Sequence, residues 1–207
     1  MMVSLRHRLV FFAMPKCAST ALEAALAPHM DVVIGGVPSA KHTPYRKYNR
    51  FLRKYFEGLS DGPMETVCLF REPKDWLKSW WRYRSRPGIA DTNRSTLHLP
   101  FEMFVNRYLD GARTPADVGR QSRFISDAAG VPRIDHLFQY GDWHSLSAFL
   151  LGRLGLELRL DRLNVSPSAH LDDRLKPHTE AALCRELALD YQIYSELADP
   201  RMHIARA

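Results

Sequence analysis

Leu9 to Leu26, LVFFAMPKCASTALEAAL, constrains this 207-residue chain more than any other stretch, because an apolar strand runs through Pro15-Lys16-Cys17-Ala18-Ser19-Thr20 straight into a helix-forming run. A buried strand that delivers a short loop to a helix N-terminus aims several things at one spot. These are backbone N–H groups, the positive end of the helix dipole, a lysine and two hydroxyls. The pattern predicts an anion cradle. It lacks the spacing G-x-x-x-x-G-K-[ST] of the common triphosphate loop, since Lys16 precedes Ser19 by three residues instead of abutting a hydroxyl residue.

A second segment repeats the theme. Thr66 to Arg84, TVCLFREPKDWLKSWWRYR, reads as an apolar strand, then Arg71-Glu72-Pro73, then a helix that carries Ser79. A guanidinium fork matches phosphate oxygens in a bidentate way, so Arg71 at a strand end is a natural phosphate ligand, with Ser79 as a second donor on the next helix. Trp76 and Trp80 share a helix face by spacing and are expected to pack in the core.

Apolar strands at about Leu9–Ala13, Asp31–Ile34, Thr66–Phe70 and His136–Gln139 alternate with helical stretches. The helices are expected near Ser19–Ala27, Tyr45–Glu57, Lys74–Tyr83, Phe101–Leu109, Pro115–Ala129, Trp143–Leu154 and Thr179–Ala198. This rhythm predicts an α/β fold, a small central parallel sheet flanked by helices, with the ligand at the carboxyl ends of the strands. With 45% hydrophobic residues the chain can bury a sizeable core, and a single domain over 1–207 is the simplest organisation. Ser85 to Pro100, rich in turn residues, reads as a loop that could wall an acceptor site.

A net charge of +6 suits an anionic ligand. No basic tract matches a known nucleic-acid module, so nucleic acid is not an expected partner. Three cysteines without metal-ligand spacing argue for a reducing compartment, and a cytoplasmic location is expected. Cys17, inside the cradle, is a candidate for a depressed thiol pKa. No stretch approaches the roughly 18 apolar residues of a membrane span, and the short apolar run after the first residues reads as strand, not signal peptide.

Pro15 to Thr20 resembles the PK-x-G-[ST]-[ST] loop that binds the 5′-phosphosulfate of PAPS (3′-phosphoadenosine 5′-phosphosulfate) in sulfotransferases, with Ala18 where that family usually has glycine. Arg71 and Ser79 look like the family's 3′-phosphate pair. Arg133 to Leu156 is similar to its later strand, loop and helix closed by a glycine. Asn164-Val165-Ser166 resembles its N-x-S element, and Asp190-Tyr191 with Tyr194 looks like the end of its C-terminal helix. The resemblance implies a three-layer P-loop-like fold and a PAPS site formed by Pro15, Lys16, Cys17, Ala18, Ser19, Thr20, Ala21, Arg71, Ser79, Asn164 and Ser166. It implies direct transfer to a hydroxyl of a carbohydrate or other polar acceptor, without a metal, leaving adenosine 3′,5′-bisphosphate.

Such a transfer needs positive charge on the bridging oxygen of the leaving phosphate, which Lys16 can supply, and a base for the acceptor proton. His42 follows the second expected strand and titrates near neutral pH, which makes it the first choice; Glu23 and His29 compete. Lys41, Gln121 and Arg123 are expected on the acceptor side. Two other readings stay open, a nucleotide-dependent kinase and a non-catalytic protein that binds a nucleotide or sulfated glycan.

Overall fold

Five strands form one mixed sheet in the computed structural model, which describes residues 1–111, 114–157 and 172–198; Asn164 and Ser166 lie outside them. The strands are β1 (Met2–Ser4), β2 (Leu9–Phe12), β3 (Val32–Val33), β4 (Glu65–Phe70) and β5 (His136–Gln139), in the order β3-β1-β2-β4-β5. β4 is buried on both sides and almost continuously apolar, as a central strand between parallel neighbours must be.

The expectation of a purely parallel sheet is corrected by β1. This three-residue strand is antiparallel to both β2 and β3 and separates them. A tight turn reverses the chain between β1 and β2: the N–H of Arg8 donates to the carbonyl of Leu5 at 3.1 Å, and Arg8 takes a positive φ of 52°. The other four strands share one direction, so the carboxyl ends of β2, β4 and β5 lie along the same edge.

The helices are α1 (Ser19–Leu26), α2 (Pro38–Lys41), α3 (Tyr45–Phe51), α4 (Arg53–Leu59), α5 (Pro73–Arg84), α6 (Phe101–Leu109), α7 (Gln121–Ile125), α8 (Trp143–Leu154), α9 (Pro177–Glu186) and α10 (Ala188–Leu197). The single helix expected over Tyr45–Glu57 is broken at Leu52, whose φ of −121° leaves the helical range. The one expected over Thr179–Ala198 breaks likewise at Leu187.

The helix expected over Pro115–Ala129 shrinks to the five residues of α7, for two reasons. The carbonyls of Pro115 and Asp117 are taken by the buried guanidinium of Arg84, and Gly119 turns the chain at a φ of +75°. Beyond α7, Asp127 Oδ1 accepts from the N–H groups of Ala129 and Val131, which closes a turn in place of a further helical turn.

Among the described residues the chain divides into two compact units, one of residues 1–71, 121–157 and 193–198, the other of residues 72–111, 114–120 and 172–192. In the first, the ring of Phe12 meets Tyr48 edge-on at 5.2 Å and stacks with Tyr45 at 6.2 Å, which ties α3 to the sheet. Glu65 at the head of β4 takes both terminal nitrogens of Arg153 on α8, at 2.6 and 2.8 Å, and His136 Nε2 at 2.6 Å. Asp142 caps α8 by accepting from the N–H of Ser145, and Gly155 ends it at a φ of 68°.

In the second unit, Pro73 sits at the start of α5 and Glu72 caps it by accepting from the N–H of Asp75 at 2.6 Å. Trp76 and Trp81 are buried, whereas Trp80, expected in the core beside Trp76, is half-buried and packs edge-on against Trp76 at 6.2 Å. The indole N–H of Trp81 donates to the carbonyl of Leu99 at 2.6 Å, anchoring the segment after α5. Among the described residues no helix is long and apolar enough to cross a membrane.

A candidate anion site at the carboxyl edge of the sheet

The loop after β2 is shaped by two residues in the left-handed region, Lys16 at a φ of 66° and Ala18 at 53°. Left-handed backbone costs an L-residue about 1 kcal/mol, a strain that concentrates at functional sites. The N–H of Cys17 turns back to the carbonyl of Met14 at 3.4 Å, and the first helical bond of α1 is Leu22 N–H to Ala18 O at 3.0 Å. The N–H groups of Ser19, Thr20 and Ala21 therefore lie in the first turn, ahead of any intrahelical acceptor, at the positive end of α1.

Arg71, the first residue after β4, reaches this loop. Its Nη1 donates to the carbonyl of Lys16 at 3.2 Å, and its guanidinium carbon lies 4.5 Å from the centre of the Tyr140 ring, just past β5. Its Nε is buried without a hydrogen-bond partner. A buried guanidinium N–H left open is unfavourable unless an acceptor joins it, and an anion oxygen would satisfy it.

Gln121 sets the position of Arg71. Its Oε1 accepts the backbone N–H of Arg71 at 3.0 Å, its Nε2 donates to the carbonyl of Arg71 at 2.8 Å, and the Cys17 thiol also points to Oε1 at 3.6 Å. The side chain expected on the acceptor side is thus buried and engaged as a clamp on the main chain. Arg123, on the same helix, is exposed.

The Cys17 thiol does not have the depressed pKa its sequence position suggested. Burial pushes it up to about 12, and the nearby Arg71 and Lys16 only partly oppose this. It is a packed thiol.

His42 follows α2. Its Nδ1 is 2.6 Å from the carbonyl of Ala13, an atom that can only accept, so Nδ1 carries the proton and Nε2 keeps its lone pair. Burial lowers the imidazole pKa, against the opposing effect of the Ala13 carbonyl, and Lys41 lowers it further, so the ring is neutral at pH 7.

Lys41 is held by Glu23 of α1 at 2.8 Å and lies 3.4 Å from Thr20 Oγ1. The two side chains weighed separately, one as acceptor ligand and the other as rival base, are partners that join α2 to the helix of the anion loop. The backbone nitrogen of Met1 donates to the carbonyls of Ile34 and Lys41 at 3.0 and 2.8 Å, which fixes the ends of the same segment. His29 lies exposed in a short turn after α1.

The first unit therefore gathers the Pro15–Ala21 loop, Arg71, Gln121, Lys41 and His42. Ser79, half-buried on α5, belongs to the second unit. Tyr140 escaped the sequence reading, and its signal was an aromatic residue directly after the last parallel strand. Among the described residues no group of three or more His, Cys, Asp or Glu is placed to hold a metal ion.

No protein-family model matches the chain, and the comparisons with curated proteins and with solved structures found no match either.

Proposed function

We propose that this chain is a sulfotransferase that moves the sulfuryl group of PAPS to a hydroxyl of a carbohydrate or other polar acceptor. One observation carries the reading: the Arg71 side chain, with a buried and open Nε, meets the carbonyl of Lys16 in a loop that precedes a helix N-terminus. Two segments 55 residues apart thus bring the Arg71 guanidinium beside a loop that leads into a helix N-terminus, an arrangement suited to an anionic ligand.

In this proposal the acceptor oxygen forms a bond to sulfur while the bond from sulfur to the bridging oxygen of the 5′-phosphate breaks. Nε2 of His42 takes the acceptor proton. The charge that develops on the departing adenosine 3′,5′-bisphosphate is met by Lys16 and the first turn of α1. Three unbridged cysteines suit a reducing, cytoplasmic setting.

A second reading has its own support. Ala18 carries a Cβ at a left-handed position where the resembled loop has glycine, and this departure is the ground for reading the chain instead as a protein that binds such a nucleotide or a sulfated glycan without turning it over.

Isothermal titration with adenosine 3′,5′-bisphosphate, 5′-AMP and ATP tests the donor class. Preference for the bisphosphate of at least about tenfold supports the proposal, and turnover of PAPS with an acceptor then separates enzyme from binder. Preference for ATP, or no binding to any of the three, overturns it.

A further inference from the structure

The helix pair α3–α4 has two faces, and only one serves the fold. Tyr45, Tyr48 and Phe56 are buried, with Tyr45 and Tyr48 packed on Phe12. Beside them Phe51 is 65%, Tyr55 64% and Leu59 51% exposed: Phe51 ends α3 just before the break at Leu52, and Tyr55 and Leu59 lie one four-residue step apart on α4. These are among the most exposed large apolar side chains of the first unit.

The same fifteen residues, YRKYNRFLRKYFEGL, hold five Arg or Lys against a single Glu. Arg53 is engaged by that Glu57 at 2.8 Å. Arg46, Lys47, Arg50 and Lys54 are exposed, and Arg50 lies 5.0 Å from the centre of the Phe51 ring. Exposed apolar side chains bordered by long cationic ones have the composition of a surface that lies on a membrane. Rings and a leucine enter the acyl boundary, while lysine and arginine reach the headgroup phosphates and carboxylates.

We infer that α3 and α4 form a docking face for an anionic lipid surface, and that the protein binds such membranes peripherally through it. The apolar half decides the partner. A nucleic acid or acidic polysaccharide would engage the cations and could stack on Phe51 and Tyr55, but it offers nothing to Leu59. A lipid surface engages all of them together. This inference stands on residues outside the anion loop and is independent of the chemistry proposed there.

The test is co-sedimentation of the full chain with vesicles of phosphatidylcholine containing about one-third phosphatidylserine, against vesicles of phosphatidylcholine alone. The expected result is a preference of at least about tenfold for the anionic vesicles, which weakens as salt rises. Phe51→Ser/Leu59→Ser and Lys47→Glu/Lys54→Glu should each lower binding about tenfold or more. All four positions are exposed, and circular dichroism checks that both variants stay folded.

Absence of sedimentation with anionic vesicles overturns the inference, as does equal binding to both compositions. Unchanged binding by either folded variant overturns it too. Concentration-dependent dimerisation without lipid, abolished by Phe51→Ser/Leu59→Ser, would assign the face to a second copy of the chain. DNA binding that the charge variant loses and the apolar variant keeps, with no vesicle binding, would assign it to a polyanion.

Discussion

His42 and Ala13 meet at 2.6 Å, imidazole Nδ1 to backbone carbonyl, across the interval from the end of β2 to the residue after α2. The contact does two things at once. It selects the tautomer that leaves Nε2 able to accept a proton, and it brings the segment after β3 to the mouth of the anion loop although β1 stands between β3 and β2.

The pH dependence follows from this environment. Burial lowers the His42 pKa from the ordinary 6.5, so the base-competent form persists below that pH. PAPS turnover should stay level from neutral pH down past 6.5 and fall only below it. His42→Asn keeps a donor to the Ala13 carbonyl but removes the base, and should cost about 10²- to 10⁴-fold in kcat with little change in nucleotide affinity. The linked stability has a definite sign: the folded state binds fewer protons than the unfolded one below pH 6.5, so His42's contribution is present above that pH and lost as pH falls through its folded value. An acid limb centred above 6.5, or full activity in the variant, removes His42 from the mechanism.

Arg71 is expected to read phosphate through its open Nε. Arg71→Ala should weaken adenosine 3′,5′-bisphosphate by about 10- to 100-fold in titration, and Arg71→Lys should recover little, since an ammonium cannot both hold the Lys16 carbonyl and offer a second in-plane donor. The 5′-monophosphate controls for loss of the loop itself. Equal weakening of both ligands would mean that Arg71 serves only to brace Lys16.

Ala18 gives a direct test of the loop backbone. At a φ of 53° and ψ of 22° its Cβ is strained, whereas glycine is at ease there. Ala18→Gly removes about 1 kcal/mol of strain but adds freedom to the unfolded chain worth about 0.4–1 kcal/mol, so urea melts should show no loss and a gain of up to about 0.6 kcal/mol. Ala18→Val, β-branched in the same conformation, should destabilise by well over 1 kcal/mol. A clear loss of stability in the glycine variant would contradict the left-handed geometry.

The thiols should separate by burial. Cys184 is exposed, while Cys17 and Cys68 are buried with their pKa values raised by desolvation. Alkylation of the native protein at pH 8, followed by peptide mass analysis, should label Cys184 first and the other two only at the rate of unfolding. Fast labelling of Cys17 would mean that the loop opens to solvent.

Much of the frame was legible because local signals agreed. Continuous apolar runs located β2, β4 and β5, and Phe101–Leu109 and Trp143–Leu154 were bounded by Pro100, Asp142 and Gly155. β1 was not legible, since three residues next to a turn carry too little periodicity to read, yet its insertion decides that the sheet is mixed. Nor was the clamp of Gln121 on Arg71, a contact over 50 residues of chain whose polar type suggested a ligand as readily as a structural bond. Tyr45–Glu57 read as one helix; that it breaks at Leu52, and that Phe51 and Tyr55 stay exposed while Tyr45, Tyr48 and Phe56 fill the core, emerges only from the packing.

Glu65 ties the frame beneath the site, and its titration can be followed. Its carboxylate holds Arg153 in a two-point fork and meets His136, and the Arg153 hydrogen bond, against the penalty of burial, brings its pKa down to about 2. The folded state thus holds the proton less tightly than the unfolded chain. The stabilisation is complete above the ordinary value of 4.5 and is lost as pH falls through about 2. Because the Glu65 side chain is 40% exposed, solvent screening limits the effect, and Glu65→Gln should cost about 1 kcal/mol at neutral pH and less in high salt. Urea melts of the two proteins should differ at pH 7 and converge as the pH approaches 2, while a gap that persists unchanged in acid would mean that packing of α8 against the sheet, and not the charge of Glu65, sets the loss.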